Sequence, residues 1–85
     1  MTIEHYVQLN PKVWEKFKDL ALTAMEKGHR RLSARLIIEQ IRWQTKIMEN
    51  DSKFKINDHW APKLARKFMV EYQCPGFFET RGITV

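Results

Sequence analysis

The chain has 85 residues, of which 44% are hydrophobic and 12% aromatic, and its formal net charge is +5. This length allows one domain and excludes a second core, while the apolar content excludes a wholly disordered chain. No stretch approaches the roughly 18 consecutive apolar residues that a membrane-spanning helix needs.

The positive charge, which favours polyanionic partners, is concentrated in the middle of the chain. Residues 27–67 contain eleven basic and four acidic residues, which gives this window a net charge of +7. The flanking segments together carry −2. A surface for a polyanion is therefore expected within the window and not at either end of the chain.

The single cysteine and the N-terminal residues indicate an intracellular protein. Cys74 has no partner for an intramolecular disulfide, and we interpret it as a small apolar residue. The first ten residues lack the basic start and the apolar run of a secretory signal. We expect a soluble, cytoplasmic protein that does not bind membranes.

The predicted organisation is an N-terminal arm followed by one compact domain. Residues 1–10 alternate loosely between apolar and polar side chains and predict an extended arm. Residues 11–85 contain three segments with helical periodicity and two short alternating segments. They predict a mainly α-helical single domain with a short β-ribbon and a C-terminal strand.

The first predicted helix runs from Pro11 to about Lys27. Asn10 can cap its free amides, and a proline at the first helical position has no N–H to leave unpaired. Apolar residues then recur at steps of three and four, as they do on one face of a helix. Gly28 favours the left-handed backbone that commonly ends a helix.

The second predicted helix runs from Ala34 to about Met48, with Ser33 as its N-cap. A line of mostly apolar residues predicts its buried side, and we interpret Trp43 and Ile47 as widening that side. The opposite side of this helix carries a charged stripe, as the solvated side of an amphipathic helix does. The stripe consists of Arg35, Glu39, Arg42 and Lys46.

The third predicted helix ends near Gln73 and follows a short extended segment at residues 54–56. Either Asn57 or Asp58 can serve as its N-cap. At helical spacing its aromatic residues are expected to fill the core rather than to stack on unpaired bases. The predicted apolar side consists of Trp60, Ala61, Leu64, Ala65, Phe68 and Tyr72.

A second short strand is predicted at residues 77–81, where it would pair with residues 54–56 as a two-stranded ribbon. Adjacent residues on a strand face opposite sides, so one of Phe77 and Phe78 is expected to be exposed. We interpret Phe78 as a candidate contact for a partner.

Three helices and a ribbon predict a winged-helix or helix-turn-helix fold, in which one helix enters the DNA major groove. The alternative is a plain three-helix core whose basic faces are merely solvated. In the first case short residues approach base edges and basic residues hold phosphates. The predicted nucleic-acid-binding residues are Arg30, Arg31, Arg35, Asn57, His59, Lys63, Arg66 and Lys67.

The sequence contains no pattern typical of a catalytic or metal site. His5, His29 and His59 lie far apart, and no cysteine spacing suits a metal ion. Asp51 and Asp58 are better explained as turn and cap residues than as magnesium ligands. We predict that the protein is not an enzyme and needs no cofactor or metal.

Four segments of the chain form a recognisable series: LSARLIIEQIRW (residues 32–43), FKIND (54–58), LARKFM (64–69) and PGFFETR (75–81). In this order they resemble a family of small, largely uncharacterised proteins of bacteriophages and prophages. The resemblance implies a phage or mobile-element origin and expression inside a bacterial cell, and it assigns no catalytic residue. Relatives often repeat Asn where this chain has Asp58, whose carboxylate faces a phosphate unfavourably.

Two functions remain open. The first is a small nucleic-acid-binding protein with a regulatory or accessory role, for which duplex DNA is the expected ligand and a two-fold homodimer a natural form. The second follows from the implied phage origin: a protein-interaction module that binds and inhibits a host defence or regulatory protein. RNA and an acidic protein are the alternative partners of the basic surface.

Overall fold

The computed structural model describes residues 1–51 and 53–78. This part of the chain contains four α-helices: α1 (Ile3–Leu9), α2 (Pro11–Glu26), α3 (Ala34–Trp43) and α4 (Ala61–Glu71). A π-helical turn at Gln44–Met48 extends α3, and a 3-10 turn at Asp58–Trp60 precedes α4. None of the helices in the described part combines the length and the apolar character that crossing a bilayer would require.

The prediction of a winged helix with a β-ribbon is wrong. The described residues contain no β-strand, and their only strand-like pairing is one parallel bridge between Leu32 and Phe78. The Leu32 N–H donates to the Phe77 carbonyl at 2.8 Å. Phe77 therefore pairs with the connector before α3 and not with residues 54–56, its predicted partner. Residues 79–81 of the predicted second strand lie outside the described residues.

The N-terminal residues form a helix and not the extended arm that their alternation predicts. The Thr2 hydroxyl caps α1 by accepting from the His5 N–H at 3.2 Å. Tyr6 is buried, and its ring stacks on Trp60 with 4.3 Å between the ring centroids. This contact with a residue far along the chain makes α1 part of the domain.

Asn10 ends α1, contrary to the prediction that its side chain would cap α2. Its amide Nδ2 donates to the Tyr6 carbonyl at 3.0 Å, and no side-chain hydrogen bond caps α2. The start of α2 at Pro11 is confirmed, and so is its end near Lys27. Gly28 adopts the left-handed backbone, with φ of +92°, that stops the helix.

The helix pair α2 and α3 is antiparallel, since the start of α2 meets the end of the π turn. Glu49 follows that turn and forms ion pairs with Lys12 and Lys16 in the first turns of α2. The hydrogen bonds from Lys12 and Lys16 lower the pKa of the Glu49 carboxyl below its ordinary value.

The helix pair α3 and α4 is also antiparallel. At the start of α3, Leu32 is hydrogen-bonded to Phe77, which follows α4. At the end of α3, Arg42 contacts Asp58, which precedes α4. The N-cap prediction for Ser33 is confirmed, because its hydroxyl accepts from the Leu36 N–H at the first turn of α3.

The centre of the core is a group of three phenylalanine rings. Phe17 of α2 lies 5.3 Å from Phe78 and 6.4 Å from Phe68 of α4, between ring centroids, and Phe68 lies 5.7 Å from Phe78. Phe77 also contacts the Phe68 ring, at 6.0 Å. Both adjacent phenylalanines turn toward α4, so the expectation that one of them is exposed is wrong. Phe78, the candidate partner contact, is a core residue with 1% of its surface exposed.

Trp43 and Ile47 are exposed, so their interpretation as core residues is wrong. Successive residues of an α-helix are rotated by roughly 100°, which places Trp43 nearly opposite Ala34 and Ile41. Both of those residues are buried. The side of α3 that carries Trp43 therefore faces away from the domain.

The π turn accounts for the exposure of Met48, which the helical period predicts on the buried side. The Glu49 N–H donates to the Gln44 carbonyl at 2.9 Å, five residues back. Such a turn holds more residues than an α-helical turn, so Met48 does not return to the line of the buried Thr45. Asn50 then ends the helix with a left-handed φ of +59°.

We expect Phe78→Ala to lower the free energy of unfolding by about 3–5 kcal/mol, because it empties the centre of the aromatic group. Phe78→Leu, which keeps most of the volume, should cost about 1 kcal/mol. The matched control is Val70→Ala on the exposed side of α4, with an effect within about 0.5 kcal/mol. Urea unfolding measures all three, and an unchanged stability of Phe78→Ala would contradict a core role.

Candidate functional site

The eight predicted nucleic-acid-binding residues do not form one cluster. Arg30 and Arg31 are exposed in the connector before α3, beside the end of α4 that leads to Phe77. Lys63 lies in the first turn of α4, at the other end of that helix. Arg35 is exposed in the first turn of α3, at the same end of that helix as Arg30 and Arg31.

Lys67 has its charge neutralised within the domain. Its ammonium lies 2.7 Å from the Glu71 carboxylate and 3.8 Å from that of Glu4. It also lies 5.2 Å from the centroid of the Trp14 ring, and only 15% of the side chain is exposed. Lys67 therefore stabilises the contact of α4 with α1 and α2 and is not available to a phosphate.

Lys63 and Arg66 line a shallow cleft of about 340 Å³ together with residues 1–4. The Glu4 carboxylate belongs to the same cleft and reduces its positive charge. The nearby His59 is exposed. Its backbone N–H donates to the Asn57 side chain at 2.8 Å, so Asn57 is the residue that caps the 3-10 turn before α4.

Arg42 connects the end of α3 to the segment before α4. Its Nη2 donates to the Ile56 carbonyl at 2.6 Å and to the Asp58 carboxylate at 2.8 Å, and its Nη1 pairs with Glu39. Burial on its own lowers the pKa of the guanidinium, but the hydrogen bonds to Glu39 and Asp58 raise it above its ordinary value. Arg42 stays charged and holds residues 56–58 against α3.

An open cleft of about 420 Å³ lies beside this connection. Lys46 and Lys55 are both exposed, and neither forms an ion pair with any acid in residues 1–51 and 53–78. Because Arg42 is offset by two carboxylates, the available positive charge of the cleft comes from these two lysines. We call it the Arg42 cleft; its lining residues are Arg42, Lys46, Lys55, Ile56 and Asn57.

An apolar stripe runs along α3 next to the basic residues. Leu36, Trp43 and Ile47 are exposed by 51%, 57% and 57%, and the neighbouring Met48 is also exposed. They lie seven and four residues apart, a spacing that puts them on one face of the helix. We call Leu36, Trp43 and Ile47 the apolar stripe.

The sequence analysis assigned Trp43 to the core and Arg42 and Lys46 to a charged stripe, and it named neither Arg42 nor Lys46 as a nucleic-acid-binding residue. A signal for Trp43 was present, because its position on the helix is nearly opposite the buried line. The sequence contains no comparable signal that Lys55 lines the same cleft as Lys46. That placement depends on the hydrogen bonds of Arg42 to Ile56 and Asp58, which are distant from Arg42 in the chain.

Among the described residues, the remaining reactive side chains offer no second site. Burial raises the pKa of the Cys74 thiol, which keeps it protonated and makes it a poor nucleophile. Within residues 1–51 and 53–78, no group of three or more His, Cys, Asp or Glu side chains is arranged to hold a metal ion. The Arg42 cleft and the apolar stripe are therefore the candidate functional surfaces of the described chain.

Comparison of the chain with protein-family models, with curated proteins and with solved structures finds no significant match. The function is therefore inferred from the two surfaces of α3.

We expect Arg42→Lys to lower the free energy of unfolding by about 1–2 kcal/mol. A lysine has one nitrogen in place of the two with which Arg42 reaches Glu39 through Nη1 and both Asp58 and Ile56 through Nη2. The lost charge-assisted bond to Ile56 contributes more to this cost than the two exposed ion pairs. Amide hydrogen exchange of residues 55–58 should also become faster. Arg35→Lys is the control, with an effect within about 0.5 kcal/mol. Equal stability of the two variants would show that Arg42 does not hold the segment.

Proposed function

We propose that the protein binds nucleic acid through basic residues along the outer surface of α3 and in the segment that follows it. One observation supports this proposal above the others. Lys46 and Lys55 lie in one cleft without a carboxylate partner among the described residues, and Asn57 adds a neutral polar group beside them. Ammonium groups in such a setting attract phosphate oxygens.

The basic surface extends beyond the cleft. Arg35 lies at the start of α3, and Arg30 and Arg31 lie just before it. The 10 residues of α3 and the 5 residues of the π turn together span roughly 20 Å, or about six base-pair steps of duplex DNA. Phosphates along that length would meet basic side chains at both ends of the helix.

The proposed setting follows from the resemblance to phage proteins. We infer a small accessory or regulatory protein that acts in the cytoplasm of a bacterial host cell, without catalytic activity and without a cofactor. Lys63 and Arg66 of α4 are the competing phosphate contacts, and Lys67 is left out because Glu71 already pairs with it.

The test is a titration of fluorescently labelled random duplex DNA, followed by anisotropy at low and moderate salt. We expect Lys46→Glu with Lys55→Glu to weaken binding by roughly tenfold or more and to reduce the log–log salt slope by about 1.8, since two phosphate contacts are lost. The matched control is Lys63→Glu with Arg66→Glu, which changes the net charge equally on the other surface.

Circular dichroism checks that both double variants remain folded. Loss of binding in the control pair alone would move the site to the cleft between α1 and α4. Absence of salt-sensitive binding of both duplex DNA and single-stranded oligonucleotides by the unaltered protein at micromolar concentration would refute nucleic-acid binding altogether.

A second candidate function is docking to an acidic protein, and the apolar stripe favours it. Trp is prominent among residues that dominate protein interfaces, and Met is enriched in their cores. The stripe presents Trp43 between Leu36 and Ile47, with Met48 beside it. Arg35 and Lys46 flank these residues and would complement acidic groups of a partner.

Protein docking predicts that Leu36→Ser with Ile47→Ser abolishes capture of a host protein from bacterial lysate treated with nuclease, because the apolar contact area is lost. The control is Leu9→Ser with Val70→Ser, which changes two exposed apolar residues on α1 and α4. Equal capture by both double variants would exclude the stripe as the docking surface.

A further inference from the structure

We infer that the nucleic acid is bound as unpaired nucleotides, with a base stacked on Trp43 and a neighbouring phosphate in the Arg42 cleft. This inference rests on the proposed function and specifies its ligand. It joins the two surfaces of α3 in one site, because a nucleotide combines a flat apolar ring with an anionic group.

The first support is the state of the three tryptophans. Trp14 is buried, and Trp60 is stacked on Tyr6. Trp43 is 57% exposed and forms neither an aromatic pair nor a cation–π contact with any described residue. Its indole face is therefore accessible to an external ring, and base stacking on such a side chain is the usual source of affinity for single strands.

The second support is the position of Trp43 relative to the cleft. It directly follows Arg42 and precedes Lys46 by three residues, a separation at which side chains on a helix are neighbours. Lys46 lines the cleft together with Lys55. A strand whose base rests on Trp43 therefore places a neighbouring phosphate next to Lys46, at the edge of the cleft.

The third support is the kind of surface that each ligand presents. Duplex DNA exposes phosphates and base edges, while the faces of its bases are stacked inside the helix. An exposed indole has no base face to meet there, and Leu36 and Ile47 would stay in contact with water. Unpaired nucleotides expose their base faces, which can cover both Trp43 and the aliphatic residues beside it.

The charge distribution favours this ligand over a second copy of the chain. A copy would bring the same lysines, and residues 27–67 carry a net charge of +7. A phosphate chain instead supplies the anions that Lys46 and Lys55 lack among the described residues. The cleft of about 420 Å³ lies within the range of small-molecule sites and has room for a phosphate with its sugar.

The experiment compares labelled oligothymidylate and oligouridylate of about eight nucleotides with a duplex of random sequence, by anisotropy at one fixed low salt. Trp43→Leu removes the aromatic face and keeps an apolar side chain, while Trp43→Phe keeps a smaller face. Val70→Ala is the control, because it changes an exposed apolar residue of α4 that lies outside the apolar stripe.

We expect Trp43→Leu to weaken binding of the single strands by roughly 5- to 150-fold, the range known for loss of one stacked base. Trp43→Phe should retain most of the affinity, Val70→Ala should leave it unchanged, and binding of the duplex should be unaffected by all three. The relative affinities of the two oligonucleotides then show whether DNA or RNA is preferred.

The inference is overturned by single-strand binding that Trp43→Leu leaves unchanged, by equal losses for duplex and single strands, or by a protein that binds only duplex. In the last case the effect of Lys46→Glu with Lys55→Glu on duplex binding would still uphold the proposed function. If neither form of nucleic acid binds, the proposed function fails together with this inference, and the apolar stripe is left to a protein partner.

Discussion

The packing of Phe17, Phe68 and Phe78 is the constraint on which the rest of the domain depends. These rings bring α2, α4 and the segment after α4 to one side of α3. The chain is short, and the described residues include no further helix that covers the other side of α3. The face of α3 that points away from the aromatic core, with Trp43 at its centre, is therefore in contact with solvent.

Arg42 forms the cleft beside that surface. By bonding to Ile56 and Asp58 it holds the segment before α4 against the end of α3, and it brings Lys55 to the same cleft as Lys46. The positive charge of Arg42 is itself neutralised, because Glu39 and Asp58 both form ion pairs with it. Arg42 thus positions the cleft, and the two lysines supply positive charge that no described carboxylate offsets.

Local chemistry made much of the helical organisation predictable. The start of α2 at Pro11, its end at Gly28 and the cap at Ser33 depend on neighbouring residues only, and all three are confirmed. The N-terminal arm and the β-ribbon were wrong because distant contacts decide those segments. Tyr6 is held in a helix by Trp60, and the Phe77 carbonyl is taken by Leu32.

The sequence by itself determined where basic residues are concentrated, which three segments after residue 10 are helical and which stripe of α3 is charged. Only the tertiary structure decided which charges remain available, because ion pairs form between residues far apart in the chain. Glu71 and Glu4 neutralise Lys67, whereas Lys46 and Lys55 line one cleft beside a guanidinium that is already paired. The exposure of Trp43 has the same origin, since a helix face is buried only where another element packs against it.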